Sequence, residues 1–260
     1  MIKSLWIAKT GLEANQSAMD VISNNLANVS TTGFKKSRAV FEDLLYQQAR
    51  GAGSNTSANS LAPTGLQVGT GTREVATVRN HTQGSLNATS NPLDLAIEGN
   101  GFFQVAMPDG TVGYTREGSF TPNADGQLVN PSGYLLQPVV QIPNGSTEIS
   151  IGKDGIVTGK LPGATAKSQM GQIEVTNFMN PAGLQALGGN IYSETAASGA
   201  AQNGTPGQAG FGSLAQGFLE SSNVNVVEEL VNMIQSQRAY EINSKALQAS
   251  DQMLQKISQI

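Results

Sequence analysis

The stretch Leu5-Trp6-Ile7-Ala8-Lys9-Thr10-Gly11-Leu12-Glu13-Ala14-Asn15-Gln16-Ser17-Ala18-Met19-Asp20-Val21-Ile22-Ser23-Asn24-Asn25-Leu26-Ala27-Asn28-Val29 decides how the rest of the chain is read. Leu5, Leu12, Met19 and Leu26 recur every seven residues, and Ala8, Asn15, Ile22 and Val29 follow three later. An apolar stripe with that period predicts an amphipathic helix, and a seven-residue repeat favours another helix as partner over a flat sheet. Gly11 inside the stripe costs about 1 kcal/mol against Ala. Gly33 is a natural stop, because Gly tolerates the left-handed conformation that ends helices.

The other end of the chain repeats the pattern. Val226, Met233, Tyr240, Leu247 and Leu254 are spaced by seven, with Leu230, Ile234, Ile242, Ala246, Met253 and Ile257 widening the stripe. Asn225 followed by Glu228 has the spacing of an N-terminal cap, and Glu228, Glu229 and Lys256 suit the helix dipole. Such stripes must be buried. Each helix could lie on its own β region, but the simplest partner for each is the other, as an antiparallel coiled coil. The wider C-terminal stripe leaves apolar flanks for neighbouring copies to cover, and contacts that do not close a ring make a helical filament. Asn15, Gln237 and Ser244 would sit in the seam and fix register. In a lone subunit these helices are expected to be poorly protected, ordering on assembly.

Between the helices the signals are those of strands. Leu93, Leu95 and Ile97 alternate with Asp94, Ala96 and Glu98, and short apolar runs follow at Phe102-Phe103, Leu128-Val129, Leu135-Leu136 and Ile156-Val157. Asp109-Gly110, Asp125-Gly126, Asn130-Pro131-Ser132-Gly133, Asn144-Gly145 and Asp154-Gly155 punctuate them as turns. The fold class expected is α+β, with a central all-β region of antiparallel sandwich or barrel-like form. Residues 1–32 and 223–260 would make the helical domain, 33–73 and 210–222 an extended connection, and 74–209 the β domain. Residues 50–63 and 196–212, rich in Gly, Ser, Asn and Ala, read as linkers or loops.

Composition narrows the function by exclusion. The chain of 260 residues carries a formal net charge of −4, which disfavours a nucleic-acid backbone as partner. Charged residues are 13% of the chain, about half the usual share, so copies can pack with few charges to desolvate. There is no Cys, hence no disulfide, thiolate metal site or cysteine nucleophile. No apolar run is long enough for membrane insertion, and Met1 to Lys9 lacks the apolar core of a cleaved signal peptide. The single His, His81, lies in a polar stretch and reads as a surface or turn residue. Gly69-Thr70-Gly71 and Gly99-Asn100-Gly101 lack the further Gly and following helix of a phosphate loop. No catalytic, cofactor-binding or metal residues are expected.

Longer motifs carry a resemblance. Asn24-Asn25-Leu26-Ala27-Asn28-Val29-Ser30-Thr31-Thr32-Gly33-Phe34-Lys35 resembles the N-terminal signature of the flagellar rod and hook (axial) proteins. Leu93 to Phe103 and Tyr114-Thr115-Arg116-Glu117-Gly118-Ser119-Phe120 are similar to the family's central β motifs. Ser222 to Val226 and Met233 to Glu241, with Gln237 and Arg238, resemble its C-terminal signature. Ser4 to Ala8, Phe41 to Tyr46 and Asp251 to Lys256 fit the distal-rod members best, ahead of proximal rod or hook paralogues. Outside the family, a secreted β-rich binding module is the competing class. The resemblance implies a non-enzymatic homo-oligomer, exported by the type III apparatus without a cleaved signal peptide. It would form a hollow helical tube in the periplasmic basal body that transmits torque and surrounds the export channel. Partners implied are proximal rod and hook subunits and the peptidoglycan- and outer-membrane ring proteins. Motif positions implied are Asn28, Gly33, Phe34, Gly99, Gly101, Phe102, Gln237 and Arg238. The assembly seams would be Leu5, Leu12, Met19, Ile22 and Leu26 with Val226, Leu230, Met233, Tyr240, Leu247 and Leu254. Residues 47–65 correspond to a rod-type insertion associated with straightness.

Overall fold

A computed structural model describes residues 2–258 apart from 54, 58, 59, 62 and 163–165. Two long helices enclose a β-rich middle in sequence: α1 spans Ile2–Ala27 and α2 spans Val226–Ser258. The α+β class is therefore as the patterning predicts. At 1.5 Å per residue the helices are about 39 and 50 Å long.

Two compact units emerge, interleaved in sequence. The first comprises residues 1–26, 37–78 and 225–260; the second comprises 27–36 and 79–224. In the first, Ser37–Asp43 and Thr72–Arg79 pair as a two-stranded ribbon. Gln47–Arg50 pairs antiparallel with Leu66–Val68, with a bulge after Gln48. This hairpin carries part of the expected insertion; residues 54, 58, 59 and 62 of it lie outside those described. α2 begins where its sequence cap lies: the Asn225 side-chain oxygen accepts the Val227 N–H at 3.1 Å, satisfying a donor that has no partner inside the helix.

The second unit is built on a seven-stranded sheet. Its strand order is Thr121–Pro122, Leu128–Val129, Leu135–Gln137, Phe103–Ala106, Val112–Thr115, Ile191–Ser193 and Gln185–Gly188. A three-stranded sheet of Thr147–Ile151, Ile156–Lys160 and Lys167–Gln172 accompanies it. Two strands from late in the chain close back on earlier ones: Ser213–Gln216 pairs antiparallel with Leu95–Glu98, and Phe218–Glu220 with Leu86–Ala88. The Asp-Gly pairs are turns, with Gly110, Gly126 and Gly155 all in the left-handed region at φ 80, 76 and 81°.

The core follows from the alternation in the strands. Leu95, Ile97, Phe103, Phe120, Leu128, Leu136, Val157, Ile173, Val175 and Leu214 form one buried cluster. Phe102, Tyr114, Phe178, Leu184 and Tyr192 form a second, mostly aromatic one. Its rings meet edge to face, with Tyr114 and Phe178 centroids 4.8 Å apart, the arrangement that ring quadrupoles favour. Leu95–Glu98 departs from simple alternation. Ala96 is buried as fully as its neighbours Leu95 and Ile97, because this strand is covered on both faces. Residues 196–212 are also more built than their composition suggests: Gln202–Gly204 pairs with Val175–Asn177, and Ser198 is wholly buried.

Candidate functional site in the terminal helices and a buried ionic cluster

Within the first unit, α1 and α2 approach each other at two points. Asn25 donates to a Glu229 carboxylate oxygen at 3.4 Å. A Cβ added at Gly11 would lie 2.9 Å from the Asn243 side-chain nitrogen. From the first contact to the second is two heptads back along α1 and two heptads forward along α2. The most shielded residues lie on the faces these contacts mark. On α1 they are Ala8, Ile22 and Asn25, each at 9% exposure or less, with Gly11, Asn15 and Ala18 half-buried between. On α2 they are Glu229, buried, and Asn232, Ser236, Ala239, Asn243 and Ser250, half-buried. Apart from Ile22, both faces are small or polar.

Asn25 does more than reach α2. Its amide donates to the Ser37 carbonyl at 2.8 Å and its oxygen accepts the Ser37 N–H at 2.9 Å. It thus pairs with the ribbon as a strand residue would. Gly71 approaches the same helix, and the Thr72 N–H donates to the Thr10 hydroxyl at 3.4 Å.

The expected assembly residues fall around these faces. Leu5, Leu12, Met19 and Leu26 are half-buried one position away from Ser4, Gly11, Ala18 and Asn25, and Ile22 is buried. On α2, Met233 and Leu247 are half-buried. Val226, Leu230 and Tyr240 are exposed, with Val227 at 70%, Ile234 at 50% and Ile242 at 66% beside them. The Leu254 and Ile257 side chains lie outside those described. Gln237 and Arg238 are on the exposed face of α2.

The second unit holds the other polar concentration. Lys35 and Glu220 are both wholly buried, with the ammonium 2.5 Å from a carboxylate oxygen. Arg116 reaches the other carboxylate oxygen at 3.3 Å. Two cations thus share one carboxylate, and backbone dipoles supply the rest. The Thr82 carbonyl accepts from Lys35 at 2.8 Å, and the Ile97 and Gly99 carbonyls accept from Arg116 at 3.3 and 2.7 Å. Glu220 also accepts the Gly84 N–H at 2.9 Å. Burial pulls the Lys35 and Arg116 pKa values below their ordinary ranges, and Glu220 opposes that pull at both.

The motif glycines make this packing possible. Gly33 has φ 70° and donates its N–H to the Glu220 carbonyl at 2.8 Å, and a Cβ there would lie 2.8 Å from the Glu117 nitrogen. Gly101 has φ 140°, and its Cβ would fall 2.0 Å from a Val175 methyl. Gly99, in the left-handed region, turns its carbonyl to Arg116. Phe34 is buried, and Phe102 lies beneath the Arg116 guanidinium at 5.5 Å. Asn28 accepts from the Thr31 hydroxyl at 3.1 Å.

His81 is not the surface residue its polar neighbours suggest. Its ring sits edge-on to Phe102 and Tyr192, each centroid 5.5 Å away. Burial, then Lys35, Arg116 and Arg79, lower its pKa to about 4, against a hydrogen bond to the Pro181 carbonyl. His81 Nδ1 and Arg116 Nε are buried without a hydrogen-bond partner.

Asn25, Arg116, Glu220, Asn223 and Glu229 escape sequence reasoning as site residues. Periodicity detects apolar faces, whereas a buried ion pair leaves no period. Their one signal is that Asn25, Arg116 and Asn223 lie inside long motifs. Among the described residues, no group of His, Asp or Glu could hold a metal ion. No described helix is long and apolar enough to cross a membrane.

Comparison with known proteins matches three family descriptions to three parts of the chain. Residues 5–35 match "Flagella basal body rod protein", residues 96–159 "Flagellar hook protein FlgE/F/G D1 domain", and residues 215–260 "Flagellar basal body rod FlgEFG protein C-terminal". Whole-length relatives agree. The flagellar basal-body rod protein FlgG of Buchnera aphidicola subsp. Acyrthosiphon pisum is 57% identical over 260 residues, all of both chains. Those named the same in Borreliella burgdorferi and Bacillus subtilis are 49% and 39% identical, over 98% and 99% of this chain and 97% and 98% of their own. The chain therefore belongs to the flagellar rod and hook protein family, in which it sits with the distal-rod members as a structural subunit of the basal-body rod, not an enzyme.

Proposed function

We propose that the subunit polymerises through α1 and α2 into a hollow helical tube, the distal rod, which carries torque from motor to hook across the periplasm and encloses the export channel. The carrying observation is the exposure of large apolar side chains along both helices of the single subunit: Trp6 on α1 and Val227, Val231, Ile234, Ile242 and Met253 on α2. Exposed apolar area of this extent marks an interaction surface.

Within one subunit, α1 and α2 pair antiparallel as a coiled coil. The two contacts two heptads apart support this register. In it, Ser4, Gly11, Ala18 and Asn25 face Ser250, Asn243, Ser236 and Glu229, with Ala8, Asn15 and Ile22 completing the layers. A seam with Ile22 as its one large apolar residue holds weakly, so the helices order fully when neighbours arrive. Leu5, Leu12, Met19, Ile22 and Leu26, with Val226, Leu230, Met233, Tyr240, Leu247 and Leu254, form the assembly surface around it. The antiparallel hairpin Gln47–Arg50 with Leu66–Val68, almost wholly exposed, belongs to an insertion that stiffens the rod. An isolated two-stranded hairpin is marginal in water, so a neighbouring subunit is its natural support.

The partners that follow are proximal rod and hook subunits and the peptidoglycan- and outer-membrane ring proteins. Delivery is by the type III export apparatus. Leu12→Asp and Leu247→Asp test the reading. Each should abolish rod formation while the β unit keeps its circular dichroism and thermal transition. Rods built by both variants would refute it.

A further inference from the structure

Three segments distant in sequence end on the Lys35–Glu220–Arg116 cluster of the second unit. Residues 33–36 follow α1, residues 80–84 precede the first core strand, and residues 218–223 lead into α2. The segments are cross-tied by more than charge. The Gly33 N–H donates to the Glu220 carbonyl at 2.8 Å, and the Ser221 N–H to the Ser85 carbonyl at 2.8 Å. The Asn223 side chain accepts the Lys36 N–H at 2.7 Å and donates to the Asn80 carbonyl at 2.8 Å. The Asn80 N–H donates back to the Lys36 carbonyl at 2.9 Å.

Each segment satisfies groups that the others leave exposed to a dry interior. If residues 218–223 withdraw, Lys35 and Arg116 lose their shared carboxylate while Arg116 already has one unpartnered nitrogen. If residues 33–36 withdraw, Glu220 loses both its closest cation and its backbone donor. A buried charge stripped of its partner is strongly unfavourable, so partial seating is disfavoured. Members of one buried polar network depend on each other for the same reason.

We propose that this cluster is a closure switch. The β unit has a clasped state, with residues 33–36 and 218–223 seated together, and an open state, with both released together, and Glu220 decides between them. The chain leaving α1 and the chain entering α2 therefore order in a single event. A chain whose last strand has not yet arrived remains open, however complete its remaining β sequence is.

Native-state hydrogen exchange on the full-length chain in sub-denaturing urea tests this. The amides of Gly33, Gly84 and Ser221 should exchange through one opening, with a common urea slope. Different slopes for the three would overturn the proposal. Glu220→Gln is the second arm. It should raise exchange at all three amides together by roughly 100-fold, leaving the strand Ile156–Lys160 unchanged. A rise confined to Ser221, no rise, or an equal rise in Ile156–Lys160 overturns it. If that variant does not fold, the wild-type slopes alone decide.

Discussion

The Lys35 ammonium and the Glu220 carboxylate meet at 2.5 Å across 185 residues of sequence, with neither side chain reached by solvent. Taking two charges out of water is costly in itself. The pair persists because Arg116, three carbonyls and the Gly84 N–H share its field. Removing one partner should therefore hurt more than removing two. Glu220→Gln is expected to cost about 3 kcal/mol in the opening of the segments around Glu220, measured by hydrogen exchange at Gly33, Gly84 and Ser221. Adding Lys35→Met to it should cost less than the two single changes summed, because the residual unpaired charge falls. Strict additivity would show that the two side chains act independently.

Two glycines separate backbone need from packing room. Gly33→Ala places a methyl against backbone atoms of Arg116 and Glu117 at positive φ, and neither can give way. A loss of about 2 kcal/mol or more is expected from conformation and overlap together. Gly11→Ala meets only the end of the Asn243 side chain, which can rotate. There the gain in helix propensity of about 1 kcal/mol should outweigh the contact, and the helical signal of the isolated subunit should rise. Thermal melts of both variants check the contrast.

His81 gives the β unit an acid dependence. Its folded pKa is about 4, below the ordinary value of about 6.5. As pH falls below 6.5 the unfolded chain binds a proton that the folded one refuses. Stability is thus fully present above pH 6.5 and declines as pH drops toward 4, by up to about 3 kcal/mol. His81→Phe should flatten the difference between pH 6.5 and 4 in urea midpoints, since no proton is then taken up. An unchanged slope would place the acid sensitivity elsewhere.

The outer face of α2 should matter to assembly and little to the lone subunit. Ile234 is half exposed, so Ile234→Asp is expected to shift monomer stability by no more than about 0.5 kcal/mol. Rod formation should nevertheless be lost, because the same carboxylate would be buried against a neighbour. Sedimentation of polymer beside a urea curve of monomer reads both.

Deleting residues 51–60 should soften or curve the assembled rod while leaving subunit stability nearly unchanged, since the flanking hairpin is largely exposed. Electron micrographs of straight rods from the deletion variant would remove the insertion from the account of stiffness.

Helices at both ends, the Asn225 cap, the Asp-Gly turns and the apolar strands were legible without coordinates. Each is a local property: a period of seven, a side chain able to reach a nearby N–H, a residue at ease at positive φ, an alternation of two. The long motifs made the family legible in the same way. Phase and pairing are different in kind. The heptad at Leu5, Leu12, Met19 and Leu26 announces a helical partner, yet Asn25 and Gly11, one residue before Leu26 and Leu12, are what meet Glu229 and Asn243. A repeat states how often a face returns and not which neighbour it meets, because several faces of one helix share the period. Likewise Lys35, His81, Arg116 and Glu220 look like ordinary polar residues in the chain. Only the tertiary structure brings them inside, because long-range burial, rather than anything in their immediate surroundings, decides whether a charge keeps its water.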